Sequence, residues 1–180
     1  MSVAIVEGMV WIRITGRANF TASVDFKALI HGLRGEGFGR FIFDVSDCVI
    51  MDSTFLGVLA GFVAALTQPG QANDGACVQL LNPNQRINDL LENLGIAHLF
   101  NVVSKEAPAV DEFKPVAVGE NKPDREEMSR TCLEAHETLM EINPENVTKF
   151  KDVARFLAED LKRLQKKASD PALPGSIPEP

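Results

Sequence analysis

Hydrophobic spacing in the first part of the chain alternates between strand-like and helix-like patterns. Apolar and polar positions alternate from residue 9 to residue 15, which is the period of a half-buried strand. A strand predicted over residues 3–7 precedes it, and Gly8 between the two indicates a hairpin turn. Residues 20–34 have helical spacing, and Asn19 or Thr21 is available as the N-cap of that helix.

A junction between a buried strand and a buried helix follows. Residues 40–45 are mostly large and apolar without alternation, which is typical of a central strand covered on both faces. Residues 53–67 are small and apolar, which favours a buried helix. Asp52, Ser53 and Thr54 stand at the start of that helix, where they can accept hydrogen bonds from free backbone N–H groups. This position predicts a surface hydroxyl on Ser53, although the helix behind it is buried.

The alternation continues for two more strands. We predict a buried strand over residues 76–81, a helix with Asn82 at its N-cap and Pro83 at its first position that ends at Leu94, and an edge strand over residues 99–103. A hairpin followed by alternating helices and strands indicates an α/β fold, in which helices pack on a mixed sheet through right-handed crossovers. Residues 1–105 are predicted to form this domain.

The remainder of the chain has a different pattern. Residues 106–121 carry prolines and scattered charges without a period, which indicates a linker or an extended strap. Residues 122–168 contain two amphipathic helices joined by a tight turn, which predicts an antiparallel helical hairpin. Its apolar seams are expected to pack on the first domain, on a second copy or on a partner, through Leu139, Phe150, Leu157 and Leu161. Residues 169–180, with four prolines, are predicted to be a disordered tail.

Composition excludes several classes of function. A net charge of −7 argues against a nucleic-acid-binding protein, because binding to phosphates needs a basic face. The cysteines Cys48, Cys77 and Cys132 are odd in number and widely spaced, so neither a disulfide framework nor a zinc site is predicted. The apolar run that begins at residue 55 is too short to cross a bilayer, and the N-terminus lacks a signal-peptide pattern. These observations predict a cytoplasmic protein without membrane, metal or cofactor.

The histidines give no indication of catalysis. His31, His98 and His136 lie in separate predicted elements, and the sequence places no acid or nucleophile beside any of them. We therefore predict that the chain is not an enzyme and has no catalytic residue.

The residues from Phe43 to Gly57, FDVSDCVIMDSTFLG, closely resemble the signature of STAS domains, and specifically that of bacterial anti-sigma factor antagonists. In that family a strand ending in Asp-Leu-Ser or a similar tripeptide precedes an Asp-Ser-Ser/Thr-Gly/Phe-Leu-Gly motif that opens a helix. The resemblance covers roughly residues 3–105 and not the hairpin. It implies a STAS-like mixed β-sheet packed with helices.

The resemblance also implies a phosphorylation switch. The serine directly after the motif's aspartate is phosphorylated by an anti-sigma factor with serine kinase activity, and that position is Ser53, with Thr54 as the alternative. The unphosphorylated protein binds this partner, and a serine phosphatase reverses the mark. Partner contacts are expected at Asp52, Ser53, Thr54, Arg17 and Asn19. Arg17 and Asn19 stand where many antagonists carry acids, which implies a different kinase or weaker phosphorylation.

Two other classes of function stay open. In one, the protein is a scaffold or dimerisation module that assembles through its C-terminal helices, and Ser53 is only a helix cap. In the other, it is a STAS domain that senses a small ligand, although no sequence motif supports this. The sequence names neither the sigma factor, the kinase nor the response.

Overall fold

The computed structural model describes residues 1–66, 78–107, 113–116 and 123–169, with side chains as far as residue 166. The predicted tail beyond residue 169, the first two residues of the strand predicted over 76–81, and much of the predicted linker lie outside these ranges. The elements in chain order are β1 (Ser2–Val6), β2 (Met9–Arg13), β3 (Gly16–Ala18), α1 (Phe20–Gly35), β4 (Phe41–Asp44), β5 (Cys48–Met51), α2 (Ser53–Leu66), β6 (Val78–Leu81), α3 (Gln85–Asn93), β7 (Asn101–Val103), β8 (Lys114–Pro115), α4 (Arg125–Ile142) and α5 (Val147–Ser169).

The main sheet has the strand order β7-β6-β4-β2-β1-β8. β1 and β2 form the predicted antiparallel hairpin, and β2, β4, β6 and β7 run parallel to one another. β4 lies in the middle of the sheet, and all four of its residues are buried. The predicted α/β fold with a mixed sheet is therefore confirmed, including the edge position of β7. The predicted start of α3 is wrong by two residues, because the N-cap is Asn84, whose Oδ1 accepts from the N–H of Ile87 at 3.0 Å, and not Asn82.

A second, two-stranded sheet was not predicted. β3 and β5 pair in parallel, with a register shift after Gly16, whose φ of 70° suits glycine. β3 has three residues, too few to show a hydrophobic period. This small sheet matters for the site, because it holds the chain entering α1 beside the chain entering α2.

The linker also contributes a short strand. β8 pairs antiparallel with the edge of β1. Phe113, just before β8, and Ala107 pack against a small apolar cluster on one face of the sheet, which includes Trp11 and Ile42. The sequence predicted a linker or an extended strap here. The parts of this segment that the structure describes are extended and pack against this face of the sheet.

Helices cover the opposite face of the main sheet. Phe26 of α1, Phe43 of β4 and Phe55 of α2 are fully buried there, and the rings of Phe26 and Phe55 stack with centroids 4.4 Å apart. α2 is apolar nearly all round, so it must be covered on its outer side as well as on the side that faces the sheet.

The outer side of α2 is covered by α4. Leu139 of α4 is completely buried within the main core, and Phe150 of α5 packs against the same core. At the turn between α4 and α5, the side-chain amides of Asn143 and Asn146 both donate to the backbone carbonyl of Leu94, at 3.1 and 2.9 Å. The hairpin is thus seated on the α/β domain and does not stand apart from it.

Candidate functional site

Asp52 joins the N-termini of two helices. Its Oδ1 accepts a hydrogen bond from the backbone N–H of Phe55 at 2.9 Å, which caps α2. Its Oδ2 accepts from the N–H of Phe20 at 2.7 Å, at the start of α1. The backbone N–H of Asp52 donates to the carbonyl of Ala18 at 3.0 Å, next to the β3–β5 pair. Asp52, and not Thr54, is therefore the residue that caps α2.

Asn19 and Arg17 lie on the neighbouring segment. Asn19 is the N-cap of α1, as predicted, and its Oδ1 accepts from the N–H of Ala22 at 3.2 Å. Arg17 is exposed on β3, and its backbone pairs with Ile50 of β5. Asn19 and Asp52 thus both accept backbone N–H groups from the first turn of α1, which brings them together. Arg17 lies two residues before Asn19.

Ser53 is the first residue of α2 and is half-buried. Its Oγ lies 3.0 Å from Nε2 of His136 on α4. Nδ1 of His136 lies 2.8 Å from the carbonyl oxygen of Cys132, which can only accept, so Nδ1 carries the ring proton. In the neutral ring Nε2 is then an acceptor, and the Ser53 hydroxyl donates to it. The Ser53 hydroxyl, predicted at the surface, is thus bonded to α4 on a half-buried residue.

His136 is itself buried, with 6% of its surface exposed, and its ring centroid lies 4.7 Å from that of Phe150. Burial lowers the pKa of His136 below the ordinary value of 6.5, against opposing contributions from the Cys132 carbonyl and the Asp52 charge. The ring is consequently neutral at neutral pH, in agreement with its role as acceptor for Ser53.

Thr54 faces α4 at a neighbouring point. It is 5% exposed, and its hydroxyl donates to Sγ of Cys132 at 3.7 Å. Burial raises the pKa of the Cys132 thiol, which keeps it protonated. One turn along α2, a Cβ added to Gly57 would lie 2.5 Å from the carbonyl oxygen of Ala135. The absence of a side chain at Gly57 therefore allows the two helix backbones to approach each other.

A separate polar group orders the loop after β4. Asp44 is buried and forms an ion pair with Arg13 at 2.9 Å. Its other oxygen accepts from the backbone N–H and the hydroxyl of Ser46, at 3.1 and 2.5 Å. Ser46 in turn accepts from the amide of Asn82 at 2.9 Å. These contacts hold the loop that leads to the Asp52 junction.

Sequence reasoning missed His136 and Cys132 as neighbours of the junction. They lie 83 and 78 positions from their partners, and no local pattern encodes such a contact. One signal was present: His136 stands one turn after Cys132 and one turn before Leu139, along the predicted apolar seam. A histidine on such a seam needs a hydrogen-bonding partner on the surface that the seam covers.

The described residues contain no group of three or more His, Cys, Asp or Glu side chains arranged to hold a metal ion. Within the same part of the chain, none of the helices combines the length and apolar character that crossing a bilayer requires.

Comparisons with known proteins agree with the fold. A sequence model of the STAS domain matches residues 1–109. Among solved structures, the crystal structure of a proposed anti-sigma factor antagonist from Thermotoga maritima, TM1081, superposes with a TM-score of 0.50 at 18% identity, over 58% of this chain and 85% of that one. The NMR structure of TM1081 gives a TM-score of 0.49 at 18% identity, over 57% and 78%. Comparison with curated protein sequences gives no match.

Proposed function

Because this chain belongs to the STAS domain family, we propose that it acts as an anti-sigma factor antagonist switched by phosphorylation of Ser53. In this proposal the unphosphorylated protein binds an anti-sigma factor that has serine kinase activity, and so frees the sigma factor in the cytoplasm. Phosphorylation releases the antagonist, and a serine phosphatase restores it. The chain itself catalyses no reaction.

The position of Ser53 is the observation that carries this proposal. Ser53 is the first residue of α2 and directly follows Asp52, the residue that caps α2 and contacts the start of α1. A phosphate there adds about −1.5 to −2 charges and is favoured by the helix dipole. The Asp52 carboxylate repels it, so the phosphate is directed away from the junction, toward a bound partner.

The proposal is tested by incubating the full chain with ATP and the kinase-type anti-sigma factor of the same organism, followed by peptide mass spectrometry. We expect one phosphate on Ser53, none in Ser53→Ala, and phosphate still on Ser53 in Thr54→Val, which keeps the shape of Thr54 without its hydroxyl. Phosphate found only outside Ser53 and Thr54 would contradict the proposed switch.

Partner binding separates the switch from a second candidate function. The hydrogen bond from Ser53 to His136 favours a scaffold in which Ser53 is a structural residue and the chain assembles with a partner or a second copy. Titration calorimetry against the anti-sigma factor distinguishes the two. The switch predicts that Ser53→Ala binds and Ser53→Asp does not, whereas the scaffold predicts equal binding of both variants.

A further inference from the structure

The C-terminal hairpin covers the residue that the proposed switch uses. α4 lies against the first turn of α2, where His136 contacts Ser53 and Cys132 contacts Thr54. We propose that the hairpin is a built-in cover for Ser53, and that α4 must separate from the start of α2 before a phosphoryl group is added. This inference rests on the proposed function, because it concerns when Ser53 is able to accept phosphate.

The docked geometry is incompatible with phosphoryl transfer. A serine oxygen attacks phosphorus only when the two atoms lie about 3–3.5 Å apart and in line. Here the Ser53 hydroxyl is half-buried and directed at Nε2 of His136, 3.0 Å away, and the buried His136 ring fills the adjoining space. A kinase active site cannot enclose Ser53 while α4 occupies this position.

The phosphorylated product also fits poorly beneath α4. Phosphorylation adds a phosphorus and three oxygens to the Ser53 Oγ, which already lies 3.0 Å from Nε2 of the buried His136 ring. The added group needs space that α4 occupies, and the neighbouring Asp52 carboxylate repels it. Phosphorylation of Ser53 therefore keeps the cover open once it has been opened.

Few polar contacts hold α4 over Ser53. They are the hydrogen bond from Ser53 to His136 and the long bond from Thr54 to Cys132. Ala135, one residue before His136, is buried against Gly57. In the turn that follows α4, two asparagine amides donate to the Leu94 carbonyl. We therefore expect this turn to stay attached when α4 leaves Ser53.

A substitution at Gly57 tests opening. In Gly57→Ala the new Cβ meets the Ala135 carbonyl at 2.5 Å, and a backbone atom has to move, which displaces α4. Gly61→Ala is the matched control, since it adds the same methyl to the same helix but meets only side-chain atoms of Thr138, of which the methyl is nearest at 3.1 Å. We expect faster hydrogen exchange in α4 of Gly57→Ala, and phosphorylation of Ser53 about tenfold faster than in wild type, in proportion to the open fraction. Gly61→Ala should match wild type.

A crosslink tests closure. Thr54→Cys places a thiol beside Cys132, and a disulfide between the two holds α4 against α2. With the anti-sigma factor kinase and ATP, we expect the oxidised variant to be phosphorylated on Ser53 at least about tenfold more slowly than the same protein reduced with dithiothreitol. Peptide mapping verifies the crosslink, and the reduced sample is its own control.

His136→Ala removes the acceptor of the Ser53 hydroxyl and should accelerate phosphorylation. A slower rate would show that His136 acts as a base for Ser53, and would overturn the cover. Equal rates of Ser53 phosphorylation in oxidised and reduced Thr54→Cys would also contradict the proposal that the hairpin covers Ser53. That result would leave the proposed phosphorylation switch unaffected. If no variant, including Gly57→Ala, receives phosphate on Ser53, the proposed function is wrong. The proposal that the hairpin covers Ser53 is then wrong as well.

Discussion

At the scale of single residues, one carboxylate determines how two helices begin. Asp52 accepts backbone N–H groups from both α1 and α2, so its two oxygens satisfy donors that the first turns leave open. No other residue type offers two acceptor oxygens on so short a side chain. The residue that follows a double cap of this kind is fixed in position, and here that residue is Ser53.

Removing the Asp52 carboxylate should therefore destabilise the fold. We expect Asp52→Ala to lower the free energy of unfolding by about 1–3 kcal/mol, because two backbone donors lose their partner. Asp47→Ala, at an exposed position in the preceding loop, should change it by less than about 0.5 kcal/mol. Urea denaturation measures both, and equal effects of the two substitutions would contradict this role of Asp52.

Protonation of His136 should weaken the folded state. Burial lowers its pKa below 6.5 in the folded chain, so between the two pKa values the unfolded chain binds more protons. Stability is therefore lost as the pH falls below about 6.5. We expect the difference in unfolding free energy between wild type and His136→Gln, in favour of wild type, to become smaller as the pH is lowered from 8 to 5. His98→Gln, at an exposed position, is the control, and a difference that stays constant with pH would exclude this linkage.

At the scale of elements, α2 explains why the hairpin docks. The sheet can bury only one side of α2, which is apolar nearly all round. The opposite, outer side is buried by α4. Gly57 and Gly61 lie one turn apart on the contact face, opposite Ala135 and Thr138. Small residues on this stripe set how close the two helices lie.

The buried side chain of Leu139 should contribute much of the free energy that holds α4 against the core. We expect Leu139→Ala to lower the free energy of unfolding by about 2–5 kcal/mol, because it leaves a cavity in the main core. Phe156→Ala removes a larger side chain from α5, but Phe156 is 65% exposed and its loss should cost less than about 0.5 kcal/mol. Thermal and urea unfolding compare the two, and a larger loss for Phe156→Ala would contradict this packing.

The sequence predicted those elements whose own residues carry a hydrophobic period or an apolar run. The hairpin of β1 and β2, the buried run of β4, the apolar α2 and the amphipathic α4 and α5 each show such a pattern. β3 was missed because three residues show no period, and β8 because prolines and charges interrupt the pattern around it. The Asp52 junction was found from its motif, but the contact of Ser53 with His136 depends on tertiary packing across 83 positions.

At the scale of the whole molecule, the hairpin completes the core of the α/β domain. Leu139 belongs to the same buried cluster as the helices that cover the sheet, and α4 also forms an ion pair with α1 through Glu134 and Lys27. The proposed phosphorylation site and the stabilising interface therefore share one surface on α2.

A chain that ends at residue 116 should be less stable than the full chain and should self-associate, because it exposes the outer side of α2. Urea denaturation gives the stability, and light scattering coupled to size-exclusion chromatography gives the mass. A truncated protein that is monomeric and as stable as the full chain would show that the hairpin contributes nothing to the core.

The seating of α4 on α2 has a further consequence during synthesis. Translation proceeds from the N-terminus, and domains fold as they emerge. The α/β domain leaves the ribosome first, with its sheet order already determined by local hairpin and crossover connections. α4 follows only after some twenty further residues, and its contacts with α2 span about 80 positions, a separation that slows their formation. Each newly made molecule therefore passes through a stage in which α2 and Ser53 are uncovered, before α4 packs over the proposed phosphorylation site.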